Sequence, residues 1–86
     1  MIIAIDFDNT FTLDVDLWKA FINHARDRGH EVICVTMNFE GDEYVLNHIG
    51  YLVDEVIFTE GEDKKPVAQR HGWDVDVWID DTPEWI

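Results

Sequence analysis

The chain has 86 residues, 47% of them hydrophobic, and carries a formal net charge of −13 at pH 7. This length points to a single domain with a thin margin of stability, and the apolar content argues against intrinsic disorder. Six basic residues against nineteen acidic ones exclude the basic surface that long nucleic acids require, and no apolar run approaches the roughly 20 residues of a membrane span.

Short apolar runs and amphipathic segments alternate along the chain. We predict strands over residues 1–6, 31–36, 55–59 and 75–80, and helices over residues 14–29, 40–50 and 65–72. Strands that are apolar on both faces and separated by amphipathic helices indicate a parallel sheet covered by helices on both sides. The one cysteine, Cys34, lies inside the second run, so we expect a buried, reduced thiol in a cytoplasmic protein.

Polar side chains collect where the predicted strands end. The four strands end in Asp6, Thr36, Thr59 and Asp80, and the neighbouring polar residues are Asp8, Thr10 and Asp81. In parallel sheets, ligands bind beyond the carboxyl ends of the strands, at the point where the strand order reverses. Aspartates often cap helices or form turns, but the nearest predicted helix begins well after Asp8, so capping explains neither Asp6 nor Asp8.

Four carboxylates at one edge of a sheet repel one another unless a cation lies between them. A small number of hard oxygen ligands suits Mg²⁺, and a threonine hydroxyl and a lysine nearby suit the oxygens of a phosphate group. The chemistry that uses all these parts is phosphoryl transfer to an aspartate. One carboxylate attacks phosphorus, while another protonates the leaving alkoxide and later activates water.

This ordered set of motifs resembles the haloacid dehalogenase (HAD) superfamily. The family's first motif, Asp-x-Asp-x-Thr/Val, is similar to residues 6–10, and its second, an apolar strand ending in Ser or Thr, is similar to "VICVT" at 32–36. Its third motif, a lysine that opens a helix, is similar to "DKKP" at 63–66. Its fourth, an apolar strand that ends in an acidic pair, is similar to "VWIDD" at 77–81.

The resemblance implies a role for each of these residues. Asp6 would be the nucleophile, and Asp8 would be the general acid/base, with its backbone carbonyl on Mg²⁺. The carboxylates of Asp6 and Asp80 would bind the metal, and Asp81 would bind it directly or through water. Thr36 and a lysine would hold the transferred phosphoryl group. Both Lys64 and Lys65 are candidates, and Lys65 is preferred because it lies nearer the predicted helix start.

The resemblance also implies a fold. We expect a single HAD-like domain over residues 1–86 without a cap domain, a three-layer, Rossmann-like α/β arrangement with a short parallel sheet in the order 4-1-2-3. Asn9 stands where the family often has glycine, and Asn is among the residues that best tolerate left-handed backbone geometry. Because only "TPEWI" follows Asp81, we expect a domain without the family's usual fifth strand and last helix.

The expected function is Mg²⁺-dependent hydrolysis of a phosphomonoester through an aspartyl-phosphate. One alternative is a non-catalytic HAD-like module that binds a metal or a partner. Another is a receiver-like phospho-acceptor, although receivers carry the acceptor at the third strand, which here ends in Thr59. The sequence does not identify the substrate. An open site suits a large substrate, or a homo-oligomer in which a neighbouring subunit covers the site.

Overall fold

The computed structural model describes residues 1–86, in which strands and helices alternate as predicted. The strands are β1 (Ile2–Ile5), β2 (Glu31–Thr36), β3 (Glu55–Phe58) and β4 (Val77–Ile79). The helices are α1 (Val15–Asp27), α2 (Glu43–Val45, continued by a π-helical turn over Leu46–Gly50) and α3 (Lys64–Arg70). Two 3₁₀ turns lie at Phe11–Leu13 and Pro83–Trp85. No helix has the length and apolar character needed to cross a membrane.

The four strands form one sheet in which every pairing is parallel. Their order is β3-β2-β1-β4, which reads β4-β1-β2-β3 from the opposite edge. The chain thus runs outward from β1 through β2 to β3 and then returns to the other side of β1. Ile5 pairs with Cys34 on one side and with Ile79 on the other, so the carboxyl ends of β1 and β4 are level. The strand order reverses between these two ends.

Helices pack on both faces of the sheet, as an all-parallel sheet requires. On one face, Ile3 and Ile5 of β1 belong to a buried cluster that also contains Ile22 and Ala25 of α1. On the other face, Ala4 belongs to a second cluster with side chains of α3. Successive residues of a strand point to opposite faces, which explains why one continuous apolar run serves both clusters. The parallel α/β arrangement predicted from the sequence is confirmed.

Most elements differ from the predicted ranges by one to three residues at an end, and side-chain hydrogen bonds to the backbone explain two of these differences. The first turn of α2 begins at Glu43, since the Asp42 carboxylate accepts hydrogen bonds from the backbone N–H groups of Tyr44 and Val45. The β4 ladder begins at Val77, because Asp76 bonds to Ile2 through both its backbone N–H and its side chain. The Asp14 carboxylate caps α1 by accepting a hydrogen bond from the Leu17 N–H at 3.1 Å.

Candidate metal and phosphate site

The loop that follows β1 is tied to its surroundings by backbone hydrogen bonds. The Asp6 N–H donates to the Ile79 carbonyl at 2.9 Å, which continues the pairing of β1 with β4. The Asp6 carbonyl then accepts from the Phe11 N–H at 3.4 Å. Between them, Asn9 has a φ of 58°, in the left-handed region that asparagine tolerates. The loop therefore holds Asp6 and Asp8 at the carboxyl end of β1.

Lys64 lies at the centre of the site. Its Nζ donates to Asp6 Oδ1 at 2.9 Å and also forms an ion pair with the Asp80 carboxylate. All three side chains are buried, and only 2% of the Asp80 side chain is exposed. The lysine therefore joins the ends of β1 and β4 through their carboxylates.

The preference for Lys65 as the lysine of the site is wrong, because Lys65 is exposed and Lys64 points inward. Helix α3 begins at Lys64 itself, one residue earlier than predicted. Val67 and Ala68 lie three and four residues after Lys64, and both are buried. Residues at this spacing share one helix face, so the apolar stripe of α3 marks Lys64 as the inward lysine.

Three of the four predicted carboxylates come together. Asp6, Asp80 and Asp81 each offer an oxygen, and these oxygens lie within 4.8 Å of one another. The Thr10 hydroxyl lies between two of them, 3.2 Å from Asp81 Oδ1 and 3.4 Å from Asp6 Oδ2. This acidic triad has the donor atoms and the spacing to bind a cation, and its net negative charge exceeds what Lys64 alone neutralises.

The Asp8 carboxylate lies apart from the acidic triad and is held by a residue whose role the sequence analysis missed. Asn38 Nδ2 lies 2.9 Å from Asp8 Oδ2 and 2.9 Å from Thr36 Oγ1, so one amide group links the ends of β1 and β2. Asn38 lies two positions after Thr36, at the edge of the sheet formed by the carboxyl ends of the strands. This position was the only sign in the sequence that Asn38 contributes to the site, and it is equally typical of a turn.

The side chains at this edge of the sheet line an open cavity of about 90 Å³. Its lining consists of Asp6, Asp8, Asn9, Thr36, Met37, Lys64, Asp81, Thr82 and Trp85. A water molecule occupies about 30 Å³ in the liquid, so the cavity has room for a group the size of a phosphoryl but not for a whole organic ester. Thr59, at the end of β3, is not in the lining, and its buried hydroxyl has no hydrogen-bond partner.

Burial and hydrogen bonds shift the pKa values of three site residues in different directions. Burial raises the pKa of Asp6 to about 6, and the hydrogen bond and charge of Lys64 offset only part of this effect. The pKa of Asp81 is lowered, chiefly because this carboxylate accepts a hydrogen bond from the Asp6 carboxyl. Burial lowers the pKa of Lys64, but hydrogen bonds to Asp80 and Asp6 outweigh it, so the net shift is upward and the amine stays charged.

A pH dependence of stability follows from the raised pKa of Asp6. The ordinary pKa is 3.8, so the folded chain holds the Asp6 proton more tightly than the unfolded chain does. Its stabilising contribution is complete below pH 3.8 and is lost as the pH rises through about 6. The full difference corresponds to about 3 kcal/mol. Asp6→Asn imitates the protonated form, so in EDTA its stability relative to the parent should rise between pH 4.5 and 7.5.

Urea unfolding of the parent and of Asp6→Asn across this pH range measures that difference. An advantage of the variant that is the same at every pH would show that Asp6 titrates at its ordinary pKa in the folded chain.

The fold and the site define a parallel α/β domain with an acidic, lysine-bridged cavity at the point where the strand order reverses. Comparisons of the chain with models of protein families, with curated proteins and with solved structures found no match. Function is therefore inferred from the arrangement of the site residues.

Proposed function

We propose that the chain is a Mg²⁺-dependent phosphomonoester hydrolase that works through an aspartyl-phosphate. The observation that carries the proposal is the position of Asp6. Its carboxylate is buried against Lys64, belongs to the acidic triad, and lines a phosphoryl-sized cavity together with Asp8 and Thr36. A nucleophile, a second carboxyl group, a cation and hydroxyl donors thus share one small space, as phosphoryl transfer requires.

The acidic triad fits a divalent cation because its three oxygens converge beside a cavity lined by polar side chains. Mg²⁺ is the ion that best suits one or two carboxylates together with a phosphate. When bound by Asp6, Asp80 and Asp81, it would supply positive charge to the phosphoryl oxygens. Lys64 already contacts Asp6, so its ammonium group is placed to neutralise an oxygen of the same phosphoryl group.

The chemistry then needs two carboxyl groups in different roles. An oxygen of Asp6 attacks phosphorus, the bond from phosphorus to the ester oxygen breaks, and the acid form of Asp8 gives its proton to the departing alkoxide. In the second half, the Asp8 carboxylate takes a proton from water. The water oxygen attacks phosphorus, which releases inorganic phosphate and restores Asp6. The hydrogen bond from Asn38 orients Asp8 for both transfers.

We also propose that this chain is a minimal, capless HAD-like domain of the three-layer, Rossmann-like type, and the site supports this proposal. The acidic triad, Lys64 and Thr36 lie on the elements where the family's four motifs would place them. We further propose a cytoplasmic location, which the buried thiol of Cys34 supports. A homo-oligomer remains part of the proposal as one way to cover the open site.

One observation favours a non-catalytic module as the second candidate. Lys64 already bridges Asp6 and Asp80, so part of the charge of the triad is neutralised without a metal. A panel of phosphate monoesters, assayed with Mg²⁺ and with EDTA, separates the two candidates. Phosphate release that requires Mg²⁺, together with an acid-quenched phosphoenzyme at Asp6 that base and hydroxylamine cleave, supports the hydrolase. Mg²⁺ binding without turnover of any ester supports the module.

Asp8→Asn should lower kcat by roughly 10²–10⁴-fold, because the leaving alkoxide then has no proton donor. The fold should stay intact, since Asp8 is exposed and the asparagine oxygen can still accept from Asn38. Steady-state kinetics with Mg²⁺ measure the loss, and urea unfolding checks the fold. Asp16→Asn, an exposed position in the first turn of α1, serves as the matched control. Full turnover by Asp8→Asn would remove the acid/base role from this residue.

A further inference from the structure

A second and larger cavity adjoins the phosphoryl-sized one. It is a groove of about 380 Å³ along the start of α1 and the end of β4. Its apolar lining consists of Leu13, Leu17, Trp18 and Ile79. The two cavities share Asn9 and Asp81 in their linings, so the groove opens directly beside the acidic triad.

Two of the four apolar side chains in this groove, those of Leu13 and Leu17, are exposed to solvent. Leu13, just before α1, is 75% exposed and Leu17, in its first turn, is 55% exposed, whereas the other face of this helix supplies Ile22 and Ala25 to the core. Exposed apolar side chains that line a concave surface next to a polar site are typical of ligand-binding sites. The 3₁₀ turn over Phe11–Leu13 places Leu13 at this rim.

The charge of the groove restricts what it can bind. The ionisable residues in its lining are Asp14, Asp80 and Asp81, and no lysine, arginine or histidine is among them. A ligand with a negative group of its own would meet only carboxylates there, and like charges repel one another. A second copy of this chain, with its charge of −13, would meet the same repulsion.

We propose that this groove binds the organic part of the substrate, and that this part is an apolar, preferably aromatic, alcohol without a negative charge. The inference rests on the proposed phosphatase function, because the phosphoryl group is what fills the smaller cavity. That cavity has no room for the organic part, and the groove is the apolar surface that continues from it. The substrate class is therefore a monophosphate ester of an uncharged or cationic apolar alcohol, not a nucleotide or a sugar bisphosphate.

Three esters of primary alcohols test the proposal in the presence of Mg²⁺: benzyl phosphate, ethyl phosphate and 4-carboxybenzyl phosphate. We expect kcat/KM for benzyl phosphate to exceed that for ethyl phosphate by about tenfold or more, as apolar subsites do for larger groups. The 4-carboxy group should cancel this gain. The double variant Leu13→Ala/Leu17→Ala should lose about tenfold with benzyl phosphate and little with ethyl phosphate. Leu46→Ala, 40% exposed and outside both cavities, should change neither.

A binding measurement without metal or turnover separates failure of the groove from failure of the enzyme. In EDTA, 2-naphthol should shift the NMR signals of the Leu13 and Leu17 methyl groups and of the Trp18 indole, whereas 2-naphthoate should not.

Turnover at equal rates for all three esters, or equal shifts with 2-naphthoate, would overturn the substrate class and leave the phosphatase intact. Turnover of no ester would overturn the phosphatase and this substrate class with it. A dimer that buries the groove, detected by sedimentation and loss of the 2-naphthol shifts, would also overturn the proposal.

Discussion

Lys64→Met should lower the free energy of unfolding by about 3–5 kcal/mol in metal-free buffer, the range measured when one partner of a buried ion pair is removed. Methionine fills a similar volume but leaves Asp80, whose side chain is 2% exposed, beside Asp6 with no positive charge near either. The total free energy of unfolding of a domain of 86 residues is typically about 4–13 kcal/mol. Urea unfolding in EDTA should therefore show a severely destabilised chain.

Two further variants identify the cause of this loss. Lys65→Met changes the neighbouring lysine, which is exposed, and should alter stability by no more than about 0.5 kcal/mol. Adding Asp6→Asn to Lys64→Met removes one of the carboxylates left without a partner, so stability should partly return. Equal losses in the two lysine variants, or no recovery in the double variant, would show that Lys64 acts through helix packing and not through its charge.

The sequence was sufficient to predict the alternation of strands and helices and the edge of the sheet at which the site lies. The strands are continuous apolar runs, which only a sheet buried on both faces requires, and β1 supplies Ile3 and Ala4 to opposite clusters. Element boundaries were less accurate, because they depend on single side-chain bonds. The bond from Ile2 to Asp76, for example, joins residues at opposite ends of the chain, and no local pattern reveals it.

Some site residues could be predicted from local patterns, and others depend on contacts between distant parts of the chain. Four residues could be predicted because they lie at or just after the end of a strand: Asp6, Thr36, Asp80 and Asp81. In the structure, each of them lines the cavity or belongs to the acidic triad. The choice between Lys64 and Lys65 depended on a helix face, and the spacing to Val67 was the informative signal. The link from Asn38 to Asp8 joins two loops across 30 positions, so it depends on how the strands are brought together.

Mg²⁺ should raise the melting temperature of the parent by roughly 10–20 °C at about a hundredfold excess over its dissociation constant. A cation that binds only the folded chain adds about 2.7 kcal/mol at that excess, and about 1 kcal/mol moves the melting temperature of a domain this small by roughly 4–8 °C. The acidic triad is assembled by folding, since Asp6 and Asp81 lie far apart in the sequence. NaCl at the same ionic strength should raise the melting temperature much less, because it only screens exposed charges such as Asp81 and acts weakly on the buried carboxylates of Asp6 and Asp80.

Asp6→Asn tests which residues bind the ion. Burial raises the pKa of Asp6 to about 6, so at pH 7.5 the charged carboxylate destabilises the metal-free folded chain. The variant should therefore be at least as stable as the parent in EDTA, inactive with Mg²⁺ because the nucleophile is gone, and less stabilised by the ion. Asp8→Asn leaves the triad unchanged and should keep most of the Mg²⁺ response. Thermal unfolding of all three proteins across a Mg²⁺ titration measures these shifts. If Mg²⁺ stabilises none of them, or stabilises the parent and Asp6→Asn equally, Asp6 is not a metal ligand.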